Sequence, residues 1–251
     1  MRIMRWFLVL ALVTVGLFAE EHHAQTSHYE FQMTAMGAFF EPDRLALSNV
    51  KPALRMGLSA HNADGFSFGG VYTHALIETE PGEAVNQSLE FWFGKEFEAF
   101  DLEWEAEAKV VSRDRVHGQN INYGELSLLA QKKFFWGEHF IAPFAEAAVL
   151  MPFRATEEFD DRLITRAGIM GHIEINGGLA LEGGASFAHT TPGIPELPGE
   201  SVDWKHYSLQ LRWGNDHDSF RFTIPKWDRI VIPDYELDED IWGIGATWWF
   251  E

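Results

Sequence analysis

The sequence predicts an all-β protein, an antiparallel transmembrane β-barrel of about 10–12 strands built by residues 20–251 as a single domain. Three observations carry this. Apolar and polar residues alternate with period two through most of the chain, the mark of strands with distinct faces, and no helical period of any length competes with it. Aromatic residues make up 14% of the 251 residues, with 10 Trp and 21 Phe, and several cluster near the ends of the alternating segments: Phe39, Phe40, Phe134, Phe135, Trp136, Trp213, Trp248 and Trp249. Such residues form the interfacial girdles of membrane barrels. After residue 19 there is no run of about 18 apolar residues, so no transmembrane helix is expected.

The first nineteen residues read as a secretory signal peptide. Met1 to Arg5 carry two arginines and no acid, Trp6 to Phe18 form a 13-residue apolar run, and Ala19 precedes Glu20 and Glu21. The run is shorter than the roughly 20 residues that a spanning helix needs. Without this segment the chain keeps 17 basic residues against 38 acidic ones, a net charge of −21.

The strands follow in order. Ser27 to Phe40 sets Tyr29, Phe31, Met33, Ala35 and Phe39 against Glu30, Gln32 and Thr34, and Pro52 to Ala60 sets Leu54, Met56 and Leu58 against Arg55 and Ser59. Phe66 to Leu76 and Leu89 to Phe97 alternate less cleanly. Phe100 to Val111 is the cleanest segment, with Phe100, Leu102, Trp104, Ala106, Ala108 and Val110 in one register and Asp101, Glu103, Glu105, Glu107 and Lys109 in the other. Leu126, Leu128 and Ala130 oppose Glu125, Ser127 and Gln131; Ile141 to Met151 carries Glu146 on its polar side. Leu163 to Ile175 sets Ala167, Ile169 and Ile173 against Arg166, His172 and Glu174. The Asn176-Gly177-Gly178 turn then admits positive φ, as short hairpins require. Leu179, Leu181, Ala185 and Phe187 face away from Glu182 and Ser186. Tyr207, Leu209, Leu211 and Trp213 oppose His206, Gln210 and Arg212, and Phe220, Phe222 and Ile224 oppose Arg221 and Thr223. The chain closes on Trp242, Ile244, Ala246, Trp248 and Phe250. Residues 190–203 and 232–240 are expected to be polar loops.

Two folds show such alternation: a membrane barrel, and a secreted β-sandwich with one face on its core. The near-universal polar register favours the barrel. The last residues, "IWGIGATWWFE", resemble the terminal strand of Gram-negative outer-membrane proteins, in which alternating apolar residues end on an aromatic one. Phe250, with Trp248 before it, takes that place, one residue ahead of Glu251. The resemblance implies an outer-membrane location, delivery to the barrel assembly machinery through this strand, and contact with outer-membrane lipid and lipopolysaccharide. A monomer is expected.

On a barrel, Glu103, Glu105, Glu107, Lys109, Glu125, Glu146, Arg166, Glu174, Glu182 and Arg212 are expected to point into the lumen, where charges pair or stay hydrated. The leading expectation for function is passive: a small pore whose rings of acid favour cations, or a structural membrane protein. The net charge of −19 excludes a nucleic-acid partner. The chain has no cysteine, so there is no disulfide, thiolate metal site or cysteine nucleophile. No nucleotide motif is present and no cofactor is expected. His22, His23, His28 and His217 show no metal-ligand spacing within one element, and no metal site is expected; the acidic stretch Asp234–Asp240 reads as a solvated loop.

An alternative lies in "SFAHTTPG". His189 and Thr191 continue the outward register of Leu179 to Phe187, an odd place for a His and a hydroxyl unless they sit at a barrel's rim. This region resembles the outer-membrane lipid A deacylases of the PagL type. The similarity also touches Pro143 to Ala147 and His206 to Leu209, and extends over some 70 residues. The resemblance implies an esterase acting on lipid acyl chains. His189 would be the general base, Thr191 would stand at the nucleophile's place, and Asp203 or Glu200 would orient the His.

Overall fold

The computed structural model describes residues 27–39, 50–79, 82–114, 120–153, 161–191, 201–214, 220–233 and 237–250. The expected signal segment, His22, His23, Glu200, His217 and Glu251 lie outside the described residues. The strands in the first half are β1 (His28–Phe39), β2 (Val50–His61), β3 (Phe66–Thr79), β4 (Gly82–Ala99), β5 (Leu102–Asp114) and β6 (Asn120–Gln131). A three-residue strand, β7 (Phe134–Trp136), precedes β8 (His139–Pro152). The second half is β9 (Arg162–Asn176), β10 (Leu179–Thr191), β11 (Val202–Trp213), β12 (Phe220–Ile232) and β13 (Leu237–Phe250).

Every pairing is antiparallel between sequence neighbours, with two exceptions that make the architecture. β1 pairs with β13 from Tyr29↔Phe250 to Phe39↔Asp240, and β6 pairs with β8 from Tyr123↔Pro152 to Gln131↔Phe144. The sheet therefore closes on itself as a twelve-stranded barrel, and β7 is a short arm on β8 rather than part of the wall. A sandwich of two packed sheets is overturned by this single closed sheet.

The alternation decides the faces. Leu58 is 57% exposed, Phe68 60%, Phe91 55% and Phe93 53%, and Ile173, Phe187, Leu209 and Ile244 share their outward orientation. A continuous apolar exterior of this extent is a lipid-facing surface, far beyond the patches that soluble monomers expose. Near one end Phe134, Phe135, Trp136, Trp213 and Phe220 are exposed, and Trp248 lies against both Phe31 (5.5 Å between centroids) and Phe220 (5.1 Å). Of the aromatic girdle that the sequence suggested, Phe134, Phe135, Trp136, Trp213 and Trp248 gather here, and Phe40 lies outside the described residues. That end also carries three tight connections, Asn62–Gly65, Phe100–Asp101 and Gly177–Gly178, while the opposite end carries the short link 80–81 together with the longer connections 40–49, 154–160 and 192–201. In barrels of this class short turns face the periplasm and longer connections face outward.

Three boundaries differ from the sequence reading. Phe100 is not in β5: it is 88% exposed and, with Asp101, forms a two-residue turn, both residues having φ of 57°. A primed hairpin turn needs positive φ at both central positions, and an aromatic residue there defeats the usual Asn-Gly signal. β12 runs beyond Ile224 because a register shift between Thr223 and Lys226 absorbs Pro225, which has no N–H to donate. The expected loops are also shorter: Thr190 and Thr191 belong to β10, Val202 and Asp203 to β11, and Leu237 to Asp240 to β13. The Asn176-Gly-Gly turn is as expected, with Gly178 at φ 102°.

Gly69 on β3 faces the barrel interior beneath Trp92 of β4, its register partner. A Cβ there would collide with the indole and lie 2.6 Å from the Leu58 carbonyl oxygen, a backbone atom that cannot move aside. Gly69→Val should therefore abolish the SDS-resistant, heat-shifted gel band that marks a closed barrel, whereas Ser67→Ala on the same strand should keep it.

Candidate active site on the outer wall

His189 and Asp203 meet because β10 and β11 pair in the register that sets them directly opposite each other. Residues two apart on a strand share a face, so Thr191 stands on the same side as His189. That side is the exterior. Phe187, two residues before His189, is 48% exposed, and its partner Lys205 is exposed beside it. The residues between point inward, and Ala188, Thr190 and Val202 have no exposure at all. The site is thus carried by two paired strands whose inward residues beside it are packed, a rigid platform for chemistry.

The side chains form a chain of hydrogen bonds. His189 Nδ1 lies 2.6 Å from Asp203 Oδ1, and Thr191 Oγ1 lies 2.9 Å from His189 Nε2. A carboxylate only accepts, so Nδ1 carries the proton, and Nε2 is left to accept from the threonine hydroxyl. This is the order of a nucleophile, a base and an orienting acid. Side-chain exposures of 44% for His189 and 48% for Asp203 leave the group open to molecules beside the wall. It lies at the end of the barrel away from the tight turns, where β10 and β11 enter the connection 192–201. Asp203 lies within hydrogen-bonding distance of His189, and Glu200 is outside the described residues.

The interior candidates are joined by cross-strand pairs that only the register reveals. Lys109 sits 3.0 Å from Glu107 and 3.4 Å from Glu125, its partner on β6. Arg166 pairs with Glu146 across β8 and β9 at 2.5 Å, its guanidinium 5.4 Å from the centre of the Phe144 ring. Glu182 gathers His172 at 3.1 Å, Arg212 at 2.9 Å and the Gln210 amide at 2.7 Å, while Glu174 lies 3.7 Å from His172. Glu103 accepts from Lys133 at 2.7 Å and from Gln131 at 3.0 Å. Glu105 stands opposite Glu96 in register. Lys133, Lys226 and Asp228 were missed by sequence reasoning. Lys133 lies just past β6 and Lys226 just past a bulge, so neither belongs to a clean alternation, and Asp228 bonds His206 at 3.2 Å beyond the same bulge. Trp248 faces outward in the girdle, and Phe250 pairs with Tyr29 at the closing seam.

No protein-family model and no curated protein matches this sequence. Solved structures match its fold. An outer membrane channel from Pseudomonas putida F1 is similar at 10% identity with a TM-score of 0.59, over 92% of this chain and 99% of that one. LpxR from Salmonella typhimurium is similar at 8% identity and a TM-score of 0.57, over 88% of this chain and 100% of that one. The KdgM porin is similar at 9% identity and a TM-score of 0.55, over 88% and 99%. At these identities the likeness is one of fold, that of Gram-negative outer-membrane β-barrels.

Removing the hub of the interior network should be costly. Glu182→Ala leaves the His172, Gln210 and Arg212 groups without the carboxylate they share, and should destabilise the barrel by about 1.5–3 kcal/mol. Urea unfolding of the protein in detergent micelles measures this, with Glu182→Gln expected to recover part of the loss.

Proposed function

We propose that this protein is an outer-membrane ester hydrolase that cleaves ester-linked acyl chains of membrane amphiphiles, with Thr191 as nucleophile, His189 as general base and Asp203 as its orienting acid. The observation that carries this reading is the pair of hydrogen bonds of 2.6 and 2.9 Å, in catalytic order, on the outer wall. Lipid-facing barrel residues are ordinarily apolar, and three polar side chains there have no folding reason to be bonded in this sequence. Phe187, Ile169 and Leu209 continue the outward face from the triad along β9 to β11, a surface on which acyl chains can lie. The resemblance of the His189 region to PagL-type deacylases makes lipid A the substrate we favour, met in the outer leaflet at the end with the longer connections.

In this reading the Thr191 oxygen attacks the ester carbonyl while its proton passes to His189 Nε2. The Asp203 carboxylate stabilises the imidazolium through the Nδ1–H. Collapse of the tetrahedral intermediate breaks the ester C–O bond, His189 returns the proton to the departing alkoxide, and the acyl group stays on Thr191. Water, deprotonated by the same imidazole, then releases the fatty acid and restores the hydroxyl. The threonine methyl crowds the attacking oxygen, so Thr191→Ser should raise the rate of acyl release. His189→Ala and Thr191→Ala should each lower it by about 1,000-fold or more. Mass spectrometry of lipid A from cells expressing each variant reads the outcome. Unchanged lipid A with the wild-type barrel, and no ester cleavage by purified protein, would reject the assignment.

A second reading, a passive cation-favouring pore, is supported by a cavity of about 440 Å³ bordered by Lys133, His172, Glu182, His206, Lys226 and Asp228. Delivery of the barrel through its C-terminal strand, ending on Trp248 and Phe250, belongs to either reading. Planar-bilayer recordings separate the two. A pore should conduct, and the triple change Glu103→Gln, Glu105→Gln, Glu107→Gln should weaken its preference for potassium over chloride.

A further inference from the structure

At the tight-turn mouth of the barrel, β1 and β2 place His28 directly opposite His61, with Glu30 one step further along the same face and opposite Ser59. The two imidazoles are stacked, their centroids 4.8 Å apart and their planes 8° from parallel. Glu30 Oε2 lies 4.0 Å from His61 Nε2, and one ligating atom from each of the three residues lies within 4.8 Å of the other two. The Ser59 hydroxyl is 3.1 Å from His61 Nε2, and Glu96 of β4 adds negative charge close to His61. The side chains are half-buried, 28% exposed for His61 and 16% for Glu30, so they are sheltered yet reachable from the mouth.

We propose that His28, Glu30 and His61 bind one divalent transition-metal ion of the zinc class, clipping β1 to β2 beside the seam where the barrel closes. The donor set decides the metal class. Two imidazoles and one carboxylate suit zinc, copper or nickel, whereas calcium and magnesium take oxygen ligands throughout. The geometry needs side-chain movement only: one imidazole turns out of the stack so that both nitrogen lone pairs converge, and the ligating atoms close by more than about 1 Å. Zinc holds nitrogen at about 2.0–2.1 Å and carboxylate oxygen at about 2.0–2.2 Å, so tetrahedral ligands stand a little over 3 Å apart. Rotating side chains at an open mouth draws the three atoms together, and the paired strands hold their Cα positions as they do so. Three protein ligands leave a fourth position for water, the pattern of an open rather than a closed site. Spacing along the sequence could not show this set, because 33 positions separate His28 from His61 and only the hairpin register joins them.

The test is isothermal titration of zinc chloride into the chelator-stripped full chain in detergent micelles. The expected result is one equivalent bound with micromolar affinity, no heat from calcium chloride, and a rise in the temperature at which the SDS-resistant band is lost. His28→Ala and His61→Ala should each weaken zinc binding by at least about 10-fold, with Glu30→Gln also weakening it. Each variant is checked for its heat-shifted band, so a failure to fold is not read as a failure to bind. The double change His22→Ala, His23→Ala is the control, since those adjacent imidazoles, a few positions before His28 in the sequence, could capture zinc unaided. Binding that persists in the His28→Ala, His61→Ala double variant, or that disappears with His22 and His23, overturns the proposal. So does a wild-type chain that takes up no zinc.

Discussion

The constraint on which the structure depends is that a sheet in hydrocarbon cannot leave an edge. Each backbone N–H or C=O without a partner there costs several kcal/mol, and water is not available to supply one. The pairing of β1 with β13 over eleven residue pairs removes the edge, and the pairing of β6 with β8 keeps the wall continuous past the short β7 arm. The outward rows of Leu, Ile and Phe are compatible with lipid only because that closure is complete.

Closure in turn sets the register of every neighbouring pair, and register sets the interior. A one-residue slip of a strand would send its inward charged side chains to the lipid side. In the register adopted, Lys109 faces Glu125 and Glu146 faces Arg166, each beside an opposite charge, and His172 faces Glu182, whereas Glu105 faces Glu96. Such pairs are weak sources of stability where water reaches them, but they impose a large penalty on arrangements that separate them. Close packing acts in the same direction: Gly69 lies under Trp92, and no other residue type fits between that ring and the neighbouring strand.

The outer site breaks the pattern that the wall otherwise keeps. His189, Thr191 and Asp203 put polar groups where the register calls for apolar ones, at the ends of two strands whose neighbouring inward residues Ala188, Thr190 and Val202 are completely buried. A local departure from a consistent design, on a rigid support, is where function is expected. The stacked histidines at the opposite mouth lie on the inner face, where polar side chains follow the register.

Period-two alternation was enough to reveal the strands, their two faces, and the residues of the polar register, because a strand's side chains alternate whatever its neighbours are. It also marked His189 and Thr191 as misplaced, since their outward position follows from parity alone. Strand boundaries near Phe100 and Pro225 were not legible: a left-handed aromatic and a bulge are tolerated only when paired strands hold them. Parity alone does not choose between Asp203 and Glu200 as the partner of His189, and it sets Glu30 on the face of His28 without showing that His61 stands opposite. Parity says which way a side chain points but not what stands opposite it. That depends on register between segments up to tens of residues apart, and register is decided by closing the barrel as a whole.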